Sequence, residues 1–124
     1  MKKAELKSVA PQLVAADVVA TAEYYRDVLG FKILGFFGEP PFYSIVQRDG
    51  VEIHFGCAEG GGNSNTKVRP ESIDLYIWVT DIDAIFDELT ASGADIVEGP
   101  VKRVYESIEV VVKDCNGYML VFAV

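Results

Sequence analysis

The sequence predicts an α+β protein built from two copies of a strand–helix–three-strand unit. Three observations carry the prediction. Residues 11–31 read as an apolar strand, a cap at Asp17, a helix and a stop at Gly30. The same series returns at 75–93, where Asp81 repeats Asp17 after 64 residues. Each half also ends in a hairpin turn, Asp49-Gly50 in the first and Asn116-Gly117 in the second, with the two glycines 67 residues apart.

The elements follow in order. Residues 1–8 are polar and frayed, and 9–15 form the first strand. Asp17 is placed to accept bonds from the first free helix amides. Val18, Ala22, Tyr25 and Leu29 fall on one helical face, and Gly30 supplies a left-handed exit. Aromatic and branched residues make 31–37 a strand, which Gly38-Glu39-Pro40-Pro41 breaks. Strands at 42–48 and 51–55 flank Asp49-Gly50, whose backbone twist suits a tight hairpin. Residues 59–72 turn to Gly, Asn, Ser and Thr, a flexible linker between modules at about 8–58 and 73–124 of a single domain. The second module gives a strand at 74–80 and a helix at 81–92 with Ile82, Ile85, Phe86 and Leu89 as its stripe. A short strand at 94–97 is broken at Gly99-Pro100, and a hairpin of 105–112 and 118–122 closes the chain.

With 124 residues, half of them hydrophobic, the chain suits one compact domain with a sizeable core. A net charge of −8 argues against nucleic acid and acidic membrane surfaces as partners, since phosphate binding needs clustered Lys and Arg. Glu5 and Lys7 interrupt any signal-peptide core, and no transmembrane run follows, so a cytoplasmic location is expected. Cys57 and Cys115 are too few for a disulfide framework or a zinc motif. A unit of one helix and four strands covers only one sheet face with its helix. The other face is free for a ligand.

The run Tyr24-Tyr25-Arg26-Asp27-Val28-Leu29-Gly30-Phe31 resembles the FYxxxLGF signature of the vicinal oxygen chelate superfamily, which includes glyoxalase I, extradiol dioxygenases and bleomycin-resistance proteins. Asp81-Ile82-Asp83-Ala84 with Leu89 and Gly93-Ala94 is similar to the start of that family's second module. Asp114-Cys115-Asn116-Gly117 is similar to its terminal D-P-D-G turn, with Cys115 in place of Pro. The resemblance covers nearly the whole chain and implies paired βαβββ modules forming a curved mixed sheet with helices on the outer face. It also implies dimerisation. Metal-using members take one ligand from the first and one from the last strand of each module, positions that carry over to Ala10, His54, Asp74 and Val121. Ala10 and Val121 have no ligating side chain, so half of that set is missing. A register shifted to Gln12 or Glu109 is the alternative.

Strand alternation extends the lining, because side chains two apart share a face. If His54 and Asp74 face inward, so do Gln12, Val14, Phe42, Ser44, Val46 and Glu52. In the second module Tyr76, Trp78, Tyr105, Ser107, Glu109 and Met119 join them. Ile45, Ile53, Phe55, Ile77, Val110, Leu120 and Phe122 pack under the helices. The aromatics alone would be ordinary sheet filling, but acids on the same face are not required by packing. Two function classes follow: a metal-free small-molecule binder like the bleomycin-resistance proteins, and a metal-dependent lyase or dioxygenase with an atypical ligand set. A metal-free enzyme acting through His54 and Glu109 is a third. The ligand count favours the binder, with no cofactor and with catalytic residues unassigned. Its expected sites are Gln12, Phe42, Ser44, Glu52, His54, Asp74, Tyr76, Trp78, Tyr105 and Glu109. Their acids and aromatics, with no Arg or Lys among them, suit an aromatic ligand carrying positive charge. Unpaired sheet edges and the Gly-rich linker point to a homodimer whose pocket is completed across modules.

Overall fold

The computed structural model describes residues 1–124 and contains two helices and eight strands in two four-stranded mixed sheets. The first module comprises β1 (Gln12–Ala15), α1 (Val18–Asp27), β2 (Lys32–Phe37), β3 (Tyr43–Arg48) and β4 (Val51–Cys57). The second comprises β5 (Leu75–Trp78), α2 (Ile82–Ser92), β6 (Asp95–Lys102), β7 (Ile108–Lys113) and β8 (Met119–Ala123). The sheets share one plan, β1-β4-β3-β2 and β5-β8-β7-β6, with the first strand of each module at an edge and parallel to the last. The curved mixed sheet is thus present as two separate ladders.

Both helices begin on the aspartates that the sequence marks. Asp17 Oδ1 accepts from the amides of Val19 and Ala20 at 3.1 and 3.0 Å, and Asp81 Oδ1 accepts from Ala84 N at 3.0 Å. The last carbonyls of α1 are satisfied from elsewhere in the chain. Arg48 donates to Leu29 O at 2.9 Å and to Glu88 of α2, while Ser92 Oγ donates to Val28 O at 2.6 Å. These bonds tie the modules together. A single core does the same: Leu13, Tyr25, Val46, Ile53 and Phe55 of the first module belong to one buried cluster with Ile77, Leu89, Val110, Leu120 and Phe122 of the second. The helix-covered faces therefore enclose a common interior.

Three expectations are corrected. The first strand begins at Gln12 rather than residue 9, because Pro11 has no amide for the ladder and only its carbonyl pairs, accepting from His54 N at 3.0 Å. Residues 1–10 are exposed, with Leu6 and Val9 at 95% and 87%. The linker is not without structure: a short 3₁₀ turn at Asn65–Lys67 is capped by Ser64 and pinned by Asp74. The pair Gly99-Pro100 does not end its strand, since β6 runs on to Lys102. Register shifts between Ile96 and Glu98 and between Glu98 and Val101 absorb the irregularity as bulges.

Candidate functional site

The two-residue turn between β3 and β4 sets the first half of the site. It pairs Gln47 with Glu52 and Ile45 with His54, so even-numbered side chains of β4 share a face with odd-numbered ones of β3. Ser44 and Val46 accordingly lie under α1, fully buried, and Ser44 Oγ donates to Val18 O at 2.8 Å. Phe42 takes the same parity, outside the expected face, with its ring beside Gly38. Tyr43 stands in their place. Its hydroxyl is 2.7 Å from His54 Nδ1 and accepts from Gln12 Nε2 at 3.1 Å, while His54 Nε2 lies 2.7 Å from Glu52 Oε2. Gln12, Tyr43, Glu52 and His54 form one connected polar group on an open sheet face.

The second half rests on an apolar floor of Val111, Val121 and Ala123, against which Tyr76 and Met119 pack. Glu109 rises from this floor only 2% exposed. Its carboxylate accepts from Tyr76, from Tyr105 Oη at 2.8 Å and from Arg103 Nε at 2.8 Å. Burial pushes the Glu109 pKa up, but the bonds from Tyr76, Arg103 and Tyr105 outweigh it and hold the group below its ordinary 4.5. Arg103 also reaches Glu98 at 2.5 Å, and Ser107 Oγ is 2.8 Å from the Tyr76 hydroxyl. A cavity of about 580 Å³ opens over this cluster, lined by Ile73, Tyr76, Arg103, Tyr105, Glu109 and Val121 among others. Beside it Trp78 is 67% exposed, with its ring 5.0 Å from that of Tyr76.

Of the ten expected residues, the structure gathers Gln12, Glu52 and His54 into one cluster and Tyr76, Tyr105 and Glu109, with Trp78 alongside, into another. Asp74 belongs to neither. Its Oδ1 accepts from Asn65 N at 2.7 Å, and its Oδ2 accepts from Ser64 Oγ and Met119 N at 2.6 and 2.8 Å, so it fastens the linker. Two members were missed. Tyr43 follows from hairpin parity once the two-residue turn is taken literally, whereas Arg103 sits in the connection between β6 and β7, where no periodicity speaks for it.

Pairing also moves the transferred metal positions. The residues facing each other across the first and last strands are Gln12 with His54 and Tyr76 with Val121, displacing Ala10 and Asp74 by two. That donor set does not fit a divalent ion: one imidazole stands with an amide, a phenol and an alkyl group. No three His, Cys, Asp or Glu side chains come together anywhere in the chain. Cys57 and Cys115 are both free.

Each of the paired βαβββ modules thus offers a polar cluster on the sheet face away from its helix. The chain belongs to the Glyoxalase/Bleomycin resistance protein/Dioxygenase superfamily, whose pattern it matches over residues 6–122. It is 28% identical over 112 residues to the virulence protein STM3117 of Salmonella typhimurium, covering 87% of this chain and 76% of that one. Its fold is that of the bleomycin resistance determinant encoded on transposon Tn5, with a TM-score of 0.75 at 17% identity over 95% of this chain and 97% of that chain. The bleomycin-binding protein of Streptomyces verticillus, solved with copper(II)-bleomycin, superposes with a TM-score of 0.74 at 22% identity over 97% of both chains.

Proposed function

We propose that this chain binds a small molecule on its open sheet faces and does so without a resident metal. The observation that carries the reading is the donor set: His54 is the only histidine, and the facing positions Gln12, Tyr76 and Val121 add an amide, a phenol and an alkyl group, so the site offers oriented polar groups and aromatic surface rather than metal ligands. The bleomycin-binding relatives supply the precedent for this fold holding a ligand. The expected ligand is flat or amphipathic and carries positive charge. Arg103 offsets part of the local negative charge, contrary to a lining free of Arg and Lys. Glu52, Glu98 and Glu109 still outnumber it, and the chain as a whole carries −8. A cation over the exposed Trp78 ring gains about 0.5–2 kcal/mol. We further propose a cytoplasmic homodimer in which each pocket draws one half from each copy.

A thermal-shift screen of paired cationic and anionic aromatic compounds, with bleomycin included, tests the binding reading. A ligand at 100 times its Kd stabilises by about 2.7 kcal/mol, a rise of several degrees in Tm. Cationic hits that Trp78→Ala removes support the reading, and hits confined to anions overturn it. Elemental analysis of protein purified without chelator tests the metal: stoichiometric zinc, nickel, iron or manganese lost in His54→Ala would move the protein to the metal-dependent class.

A further inference from the structure

Tyr43 is set apart from the other hydrogen-bonded tyrosines by the base it faces. The hydroxyls of Tyr25, Tyr76, Tyr105 and Tyr118 meet carboxylate, serine or carbonyl oxygens. Tyr43 meets an imidazole, at 2.7 Å. Glu52 at the far side of that ring can only accept when ionised, so the neutral ring carries its proton on Nε2 and turns the Nδ1 lone pair to the phenol. Gln12 Nε2 donates to the same phenolic oxygen, which favours negative charge there. Carboxylate, imidazole, phenol and amide thus stand in one line, each oriented by the next, on an open face. The ring that would serve a metal elsewhere in the superfamily is wired to a phenol here.

We propose that Tyr43 is an activated phenol that exchanges a proton with a bound molecule carrying an acidic hydrogen, such as a phenol or an enolisable carbonyl compound. In the forward step the ligand's O–H or C–H bond breaks and its proton joins Tyr43 Oη. The phenol's own proton passes at the same time to His54 Nδ1. The bonding pair stays on the ligand as phenolate or enolate, and the imidazolium is held by Glu52. No co-reactant is consumed, and reversal restores each group. The proposal rests on the reading of this face as a ligand site, but its test does not require the ligand.

An aryl sulfonyl fluoride reports the activation directly. Tyr43 Oη bonds to sulfur, the S–F bond breaks, fluoride leaves and the phenolic proton goes to Nδ1. Peptide mass spectrometry on the intact chain is expected to show Tyr43 modified at least about tenfold faster than Tyr105, although Tyr105 is 62% exposed. His54→Gln is expected to slow that modification at least about tenfold without lowering Tm, and Glu52→Gln to slow it less. Should His54→Gln not fold, Glu52→Gln carries the comparison. Modification of Tyr43 no faster than Tyr105, or equally fast in the foldable variants, overturns the proposal. Hits in the thermal-shift screen would survive that outcome, so failure of the phenol and failure of the binding reading are distinguishable.

Discussion

Asp114 is 6% exposed and receives Tyr25 Oη at 2.6 Å on one oxygen and the amides of Asn116 and Tyr118 at 2.8 and 2.9 Å on the other. Burial nevertheless raises its pKa above the ordinary 3.8, outweighing the three donors. The folded state then binds the proton more tightly than the unfolded chain, so this group adds stability as pH falls through its raised pKa toward 3.8 and withholds it at neutral pH. Urea denaturation should show the wild type gaining on Asp114→Asn between pH 7 and about pH 4. An unchanged difference across that range would contradict the assignment. Glu109 has the opposite sign. Its lowered pKa contributes stability that is complete above 4.5 and lost as pH falls below it. Arg103→Ala leaves the buried carboxylate with only phenol donors, an expected loss of about 2 kcal/mol at pH 7 that shrinks near pH 4. Equal losses at both pH values would show that Arg103 acts through packing instead.

At the scale of elements, legibility followed how local the signal is. Asp17 and Asp81 announced both helices because a cap is a contact within four residues, and Asp17→Ala should cost about 1 kcal/mol in the same denaturation assay. The face of β3 was misread because parity across a hairpin depends on turn length, which pairs Ile45 with His54 and sends Ser44 under α1. Asp74 looked like a site carboxylate, but its partners Ser64 and Asn65 lie across a linker that has no packing pattern. Gly99 read as a strand break for a comparable reason: its role depends on a neighbouring strand. With φ at +106°, a Cβ there would sit 2.3 Å from Glu109 O and 2.9 Å from Val110 Cα, so the β6 bulge lets two backbones approach beneath the Glu109 cluster. Gly99→Ala should cost about 3 kcal/mol or more and lower Tm accordingly. A Tm within a degree of the wild type would show that β6 can slide away from β7 freely.

For the whole molecule, the question is how two half-sites become one pocket. Alternate side chains of a strand point to opposite faces, and the helix-side faces of both sheets enclose one common core, so the faces carrying His54 and Glu109 are both turned away from that core. The two clusters share no hydrogen bond, and none of the three principal cavities lined by Ile77, Tyr76 or Trp78 includes Gln12, Tyr43, Glu52 or His54. Within one chain the halves remain apart. The proposed homodimer would bring them together: β1 and β5 are both sheet edges, and a two-fold arrangement would set the first module of each chain against the second module of the other. Light scattering at tens of micromolar should then give twice the 13.6 kDa chain mass. Complementation tests the composition of the pocket itself. His54→Ala and Trp78→Ala should each weaken binding of a cationic hit from the screen, which is then assayed at a ligand concentration where neither variant alone takes up a measurable amount. When the two variants are unfolded, mixed equally and refolded, half of the dimers are mixed, and each mixed dimer holds one pocket with both halves intact. About a quarter of the wild-type binding capacity should return. No recovery from a mixture whose mass confirms dimers would mean that each pocket is built within a single chain.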